Sequence, residues 1–151
     1  MEAHEIMITE VYKVTEKDTV RSVIKKFIEY RISGVPIVND RNEIVAYVSD
    51  GDIMRYIGKH ENLVFDFFYY VAVIRGDDEE FEDRVKKILD LNILDIAQKK
   101  VVKVSRNEKI ENVAAILAKK NIKKLPVEHD GVLVGIISRG DVIRHCFKSI
   151  I

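Results

Sequence analysis

One cysteine, two prolines, no tryptophan and no excess of either charge sign leave several functions without material. Cys146 alone cannot form an internal disulfide. Its place in the apolar tail Val142-Ile143-Arg144-His145-Cys146-Phe147 suits a buried small hydrophobe better than a nucleophile. No stretch approaches the roughly 18 uncharged apolar residues of a membrane helix, and Met1-Glu2-Ala3-His4 lacks the basic-then-apolar layout of a signal peptide. The expectation is a cytoplasmic chain without membrane insertion. The histidines (His4, His60, His129, His145) are scattered, and no Ser-His-Asp set, phosphate-binding loop or metal-ligand spacing occurs. Catalysis, a resident metal and a catalytic cofactor are therefore not expected.

What is present is 151 residues, 47% hydrophobic and 33% charged, enough for one compact core or two small fused ones. The zero net charge hides a polarity. Through Leu94 there are 19 acidic and 13 basic residues, and from Asp95 onward 6 acidic and 12 basic. An anionic ligand or nucleic acid at the second half would use this asymmetry, and so would attraction between neighbouring subunits. Nucleic acid is the less expected partner, since no recognition motif accompanies the charge.

The chain says the same thing twice: Glu5 to Arg55 reappears as Asp95 to Arg144, about 90 residues on. Val14/Val104, Val23/Val113, Ile32/Ile122, Pro36/Pro126, Val45/Val134, Ser49/Ser138, Gly51/Gly140, Asp52/Asp141 and Arg55/Arg144 are shared, and both prolines fall at one equivalent position. In the first copy Thr15-Glu16-Lys17-Asp18 has the form of a helix capping box. Val20, Val23, Ile24, Phe27 and Ile28 then follow at the spacing of a buried helical stripe. Ile110, Val113, Ala114, Leu117 and Ala118 repeat it. An extended run through each proline, a polar turn and a β-branched strand (Ile44 to Ser49, Val132 to Ser138) come next, and each strand runs into Ser-x-Gly-Asp and a short helix.

The expected fold is α+β: two β-α-β-β-α half-modules over residues 5–57 and 95–147, packed sheet to sheet with pseudo-twofold symmetry. Residues 58–94 have no internal copy and are expected to form a helical insertion. There Phe81, Val85, Ile88 and Leu89 make an amphipathic stripe, the acidic run Asp77 to Asp83 forms a solvated first turn, and the cluster Phe65, Phe67, Phe68, Tyr69 and Tyr70 either fills the core or forms a partner surface.

Ser49-x-x-Asp52 and Ser138-x-x-Asp141 read singly as capping boxes. Twice at a strand-to-helix junction, beside a glycine, they also describe a place where free amides favour a bound anion. A carboxylate there can accept both hydroxyls of a ribose, as acidic side chains do in other nucleotide folds.

With Ile32-Ser33-Gly34-Val35-Pro36, Ile122-Lys123-Lys124-Leu125-Pro126 and the two hydrophobic-Ser-x-Gly-Asp-hydrophobic-Arg endings, the chain resembles a tandem cystathionine-β-synthase (CBS) domain pair, or Bateman module. The resemblance implies clefts between the repeats for adenosine-containing ligands such as AMP, ADP, ATP or S-adenosylmethionine. It implies ribose contacts from Asp52 and Asp141, and phosphate or ribose contacts from Ser49 and Ser138. Backbone around Thr15, Gly34, Val35 and Pro36, or around Ser105, Leu125 and Pro126, would edge the adenine, with Ile53 and Val142 on its face. Lys123, Lys124 and Arg139 are the implied phosphate contacts. The first copy has Ser33, Gly34 and Asp50 at those three positions, which favours the second site for polyphosphates. The lysines read equally well as solvated residues complementing a helix end. A flat homodimer and a regulated enzyme or transporter acted on in trans are also implied. Two functions stay open: a non-catalytic adenosine-ligand sensor, and a ligand-free homodimerisation scaffold.

Overall fold

The strand–helix–strand–strand–helix order appears in both copies, in a computed structural model that describes residues 1–76 and 78–151. The chain opens with a one-turn helix α1 (Ala3–Ile6) and continues through β1 (Val14–Thr15), α2 (Val20–Tyr30), β2 (Gly34–Val38), β3 (Ile44–Ser49) and α3 (Asp50–Ile57). An insertion carries β4 (Leu63–Asp66), β5 (Val71–Ile74), α4 (Phe81–Ile88) and a single 3₁₀ turn at Ile93–Asp95. The second copy is β6 (Val104–Ser105), α5 (Ile110–Lys119), β7 (Lys124–His129), β8 (Val132–Ser138) and α6 (Arg139–Phe147). In each copy the first strand is parallel to the second, and the second antiparallel to the third. The duplication extends to a register shift, between Ile37 and Val38 in one sheet and between Val127 and Glu128 in the other.

The helix α2 begins later than the Thr15-x-x-Asp18 pattern suggests. Thr19 is the N-cap, its hydroxyl accepting from Ser22 N at 3.2 Å. Asp18 instead folds back to accept from Thr15 N at 2.7 Å, closing a turn ahead of the helix. Of the stripe, Val20 and Val23 are fully buried and Ile28 is exposed.

Each half completes its core with a segment from outside its own copy. Ala3 and Ile6 lie in the cluster built on Val113, Leu125, Val127 and Ile137 of the second copy. Ile88 and Ile93 lie in the cluster built on Val20, Val23, Val35, Ile37 and Val48 of the first. The backbone follows the same exchange: Ile8 pairs with Ile136 on the edge of β8, and Gln98 pairs with Tyr47 on the edge of β3. Glu2–Lys109 and Asn92–Thr19 are a second equivalent couple. Where the halves meet, Ile44 N donates to Gly131 O and Leu133 N to Asn42 O. Val38, Ile44 and Leu133 form a small cluster there, with Val11 and Val101 against it. Ile88 and Ile93 each contribute roughly 1.5–3 kcal/mol by burial.

The insertion departs from expectation. The helix is there, but Phe81 is exposed and Arg84 is buried in its place, donating from Nε to Ile57 O and from Nη1 to Glu79 O. Ahead of it stands a β-hairpin, paired Leu63–Ile74 to Asp66–Val71. The aromatic residues do not enter the core: Phe65, Phe67, Phe68, Tyr69 and Tyr70 are all exposed, Phe68 by 93%. They sit on the strand and tip of a ribbon that contributes no residue to either core cluster. Asp77, the first residue of the acidic run, lies outside the described residues.

Candidate functional site

Both Ser-x-Gly-Asp motifs sit at the strand-to-helix junctions, where a capping box forms at the first turn of α3 and of α6. Asp141 Oδ2 accepts from Ser138 N at 2.7 Å and Ser138 Oγ at 2.8 Å, while Asp141 N donates back to Ser138 Oγ at 3.2 Å. Asp52 Oδ2 accepts from Ser49 N at 2.9 Å. Both carboxylates are buried, and both take a further hydrogen bond on Oδ1 from the arginine one turn on, Arg55 or Arg144. Asp52 differs from its counterpart in one respect: Gln98 Nε2 donates to its Oδ1 at 2.8 Å. Gln98 belongs to the crossing segment, so this contact ties the junction to the seam between the halves.

The sheet register brings the loops to these helix ends. Gly34 lies opposite Ser49, and Lys124 opposite Ser138. Between them opens a cavity of about 530 Å³, the size of an ordinary small-molecule site. Of the expected residues it brings together Gly34, Ser49, Asp52, Lys123, Lys124, Pro126, Ser138 and Arg139, from both copies. Its apolar wall is Val101, Val102 and Pro126, and Lys100 adds a cation beside Lys123 and Lys124.

The remaining expected residues lie elsewhere. Val35 and Leu125 are fully buried and Ile53 nearly so, packed into the two cores together with Val142 of α6, while Pro36 is buried in β2 but belongs to neither core cluster. Thr15 and Ser105 pair with Val38 and Glu128. That places them about 13 Å along the sheet from Gly34 and Lys124, at roughly 3.3 Å per strand residue. The short strands holding them mark the far end of each sheet, so they do not edge this cavity. Asp141 lies just behind Ser138, under the cap. Arg139 reaches the wall, but its guanidinium closes the end of α5, donating from Nε to Ile122 O at 3.1 Å and from Nη2 to Leu117 O at 3.0 Å. It therefore serves as a clamp on the helix C-terminus.

Tyr47, Gln98, Lys100, Val101 and Val102 line the cavity and were not among the expected residues. The available signal was the Val11/Val101 equivalence in the stretch ahead of each copy. Tyr47 lies against Gly34, where a Cβ would come within 2.6 Å of the phenol oxygen. Burial, and then the Asp50 and Asp52 carboxylates, push this phenol up to about 12. The folded state thus holds the proton that the unfolded chain loses near 10, so folding is fully favoured below pH 10 and loses stability as pH rises toward 12. Chemical denaturation across that window should show a falling midpoint that Tyr47→Phe flattens. An unchanged slope in the variant would remove Tyr47 as the cause.

The CBS domain model matches residues 3–59 and 93–148. The chain belongs to the CBS domain family. The matched segments begin at α1 and at the 3₁₀ turn, so each CBS repeat starts with the segment that crosses to the other's core. Protein MJ1426 of Methanocaldococcus jannaschii is 33% identical over 138 residues, covering 86% of this chain and 82% of the relative. CBSX1, a chloroplastic CBS domain-containing protein of Arabidopsis thaliana, is 28% identical over 145 residues, 89% of this chain and 58% of its own length. Among solved structures, CBSX2 in complex with AMP superposes with a TM-score of 0.73 at 21% identity, covering 98% of this chain and 97% of that one. MJ1225 of Methanocaldococcus jannaschii gives 0.79 at 20% identity, covering 99% of this chain and 51% of that one. These likenesses establish the tandem CBS fold. Among the described residues no helix is long and apolar enough to cross a membrane, and no cluster of three or more His, Cys, Asp or Glu could hold a metal ion.

Proposed function

We propose that this CBS pair is a non-catalytic regulatory module that binds one adenosine-containing ligand per chain, AMP, ADP, ATP or S-adenosylmethionine, and signals its presence to a protein partner in trans. The observation that carries the reading is the cavity itself. It holds the first turns of α3 and α6 at Ser49, Asp52, Ser138 and Gly140, an apolar wall at Val101, Val102 and Pro126, and the cations Lys100, Lys123 and Lys124. An adenine ring suits the apolar wall, a ribose the buried carboxylate, and phosphates the lysines and helix amides. The AMP in the CBSX2 structure supports the ligand class.

The signal follows from Gln98. A ribose hydroxyl that takes over Asp52 Oδ1 displaces the Gln98 amide and loosens the crossing segment, so the ligand prefers an altered packing of the halves. The shift is limited by the difference in its affinity for the two arrangements.

One ligand per chain follows from an asymmetry. The cavity runs along Gln98, Lys100, Val101 and Val102 and not along their counterparts Ile8, Glu10, Val11 and Tyr12. In the place of Val102 the first copy has Tyr12, whose ring stacks on Tyr30 with centroids 4.5 Å apart. This stacked pair takes the place of the apolar wall that Val102 supplies to the cavity.

Thermal unfolding with AMP, ADP, ATP and S-adenosylmethionine tests the reading, because a ligand confined to the folded state adds about 2.7 kcal/mol at a hundredfold excess over its Kd. The expected result is a selective rise in Tm, lost in Asp52→Ala or Asp141→Ala variants that still unfold cooperatively. Calorimetry should count one ligand per chain, and two in Tyr12→Val. No rise with any of the four would leave the ligand-free scaffold.

A further inference from the structure

The β-hairpin leaves open the kind of sheet edge that the two repeats cover. Among the described residues, the outer strands β3 and β8 are met by the crossing segments at Gln98 and Ile8, and β1 and β6 are only two residues long. β4 and β5 pair only with each other, and their register runs from Leu63–Ile74 to Asp66–Val71 without a shift. Natural edge strands are blunted by charges, prolines or bulges. The strand β5, Val71-Ala72-Val73-Ile74, has none of them.

The turn fixes which backbone groups are open. Phe67 N donates to Tyr70 O and Tyr70 N to Phe67 O, so the loop is Phe68-Tyr69 and Phe67–Tyr70 is a hydrogen-bonded pair. By antiparallel alternation the N–H and C=O of Ala72 and Ile74 then point at β4, and those of Val71 and Val73 point outward. Both valine side chains are more than half exposed. A lone two-stranded ribbon is marginal in water, and three or more strands are needed for stability of its own.

We infer that β5 pairs antiparallel with β5 of a second copy across a twofold axis at Ala72, making one four-stranded sheet from two hairpins. In this register Val71 of each copy exchanges hydrogen bonds with Val73 of the other. Ala72 meets its own counterpart in a non-hydrogen-bonded pair, where Cα atoms approach to about 4.5 Å and a small side chain suits. Tyr70 falls opposite Ile74, a favourable pairing of an aromatic with a β-branched residue. Beyond it Arg75 reaches the tip of the other copy beside Tyr69, where a guanidinium can lie on the ring.

Charge selects a second copy as the occupant. Lys59 and Arg75 stand at the base of the ribbon and Asp66 next to its tip. Antiparallel pairing sets the base of one copy beside the tip of the other, so these opposite charges approach. Glu61 continues β4, on the side away from the paired edge. An anionic phospholipid surface fits less well: Glu61, Asp66 and the run Asp78 to Asp83 outnumber Lys59 and Arg75, and lipid offers the open backbone groups no hydrogen bonds. The same edge is used on both copies, so the contact closes at two. The remaining β4 edge carries Asp66, a charge of the kind that blunts further pairing. The contact involves no helix of either repeat and does not rest on nucleotide binding.

Disulfide cross-linking of the full chain carrying Cys146→Ser tests the pairing, because the Cα separation at the axis lies within disulfide reach. With oxidised glutathione, Ala72→Cys should form an intermolecular disulfide at least tenfold faster than Val64→Cys, a more exposed position on the β4 edge. Adding Val73→Pro, which removes an outward N–H and no bond of the hairpin, should slow Ala72→Cys at least tenfold. Adding Val64→Pro, the same change on the other edge, should leave that rate unaltered, with circular dichroism confirming that both variants are folded. A faster Val64→Cys, a rate indifferent to Val73→Pro, or equal slowing by both prolines would overturn the inference. So would flotation with phosphatidylglycerol vesicles through Phe68 and Tyr69 while Ala72→Cys stays uncrosslinked.

Discussion

Replacing Lys123 and Lys124 together by alanine should weaken ATP binding by about a hundredfold and AMP binding by about tenfold. Both side chains line the cavity, and Lys124 begins β7 opposite Ser138, next to the first turn of α6. Each charge-assisted hydrogen bond to a phosphate is worth roughly 1.5–3 kcal/mol. Lys123 is exposed to screening solvent, so the pair belongs at the lower end of that range. Two lost contacts then amount to about 3 kcal/mol, or a factor near 100. AMP has fewer phosphate oxygens to lose and keeps the apolar wall. Neither lysine is buried, so Tm without ligand should stay within about a degree. Calorimetric titration of both nucleotides decides it. An equal loss for AMP and ATP would place the lysines away from the outer phosphates, and no loss would return them to the role of solvated helix-end residues.

The largest expected effect on stability comes from a residue that no ligand touches. Gly135 in β8 is buried against Met7, and a Cβ there would stand 2.4 Å from Met7 Sδ and 2.7 Å from its Cγ. Gly135→Ala should therefore cost about 1–3 kcal/mol by overpacking. For a chain of this length that lowers Tm by roughly 2–4 °C per kcal/mol. The first half shows how the conflict is avoided: the equivalent positions are Ala46, in its core cluster, and Ala97, packed against that cluster. The double variant Met7→Ala with Gly135→Ala copies that arrangement and should be more stable than Gly135→Ala alone. A double-mutant cycle measures the coupling. Simple additivity of the two changes would mean that Met7 moves aside at no cost.

Ser49, Asp52 and Ser138 were legible as cavity-lining residues because the chain writes its motif twice, Lys123 and Lys124 because they stand where the first copy has Ser33 and Gly34, and the strands Ile44–Ser49 and Val132–Ser138 because their β-branched runs end at a capping box. Three things were not. The repeat tells which residues are equivalent but not which half a segment packs against. Ala3 and Ile93 therefore gave no sign that each serves the other copy's core. Lys100, Val101 and Val102 follow Gln98 on the crossing segment and line the cavity from there. Thr15 and Ser105 lie in the short strands β1 and β6, paired with Val38 and Glu128 at the opposite end of each sheet from the cavity, a consequence of register that periodicity does not encode. The hairpin was missed because Leu63 to Ile74 lacks the polar alternation that separates a ribbon with one wet face from a buried run. Its uncovered faces and its misleading sequence have the same cause.

The exchange of leading segments also sets an order on biosynthesis. The first half lacks Ile88 and Ile93 until translation has passed well beyond its own last helix, so it leaves the ribosome with its core open. The helix carrying Ala3 and Ile6 waits longer still, since its partners run to Val142. At roughly 5–20 residues per second, about 140 residues of synthesis separate Ala3 from the last of those contacts, an interval of about 7–28 s. Throughout it Ala3 and Ile6 remain unburied, within reach of chaperones and of neighbouring nascent chains on the same message.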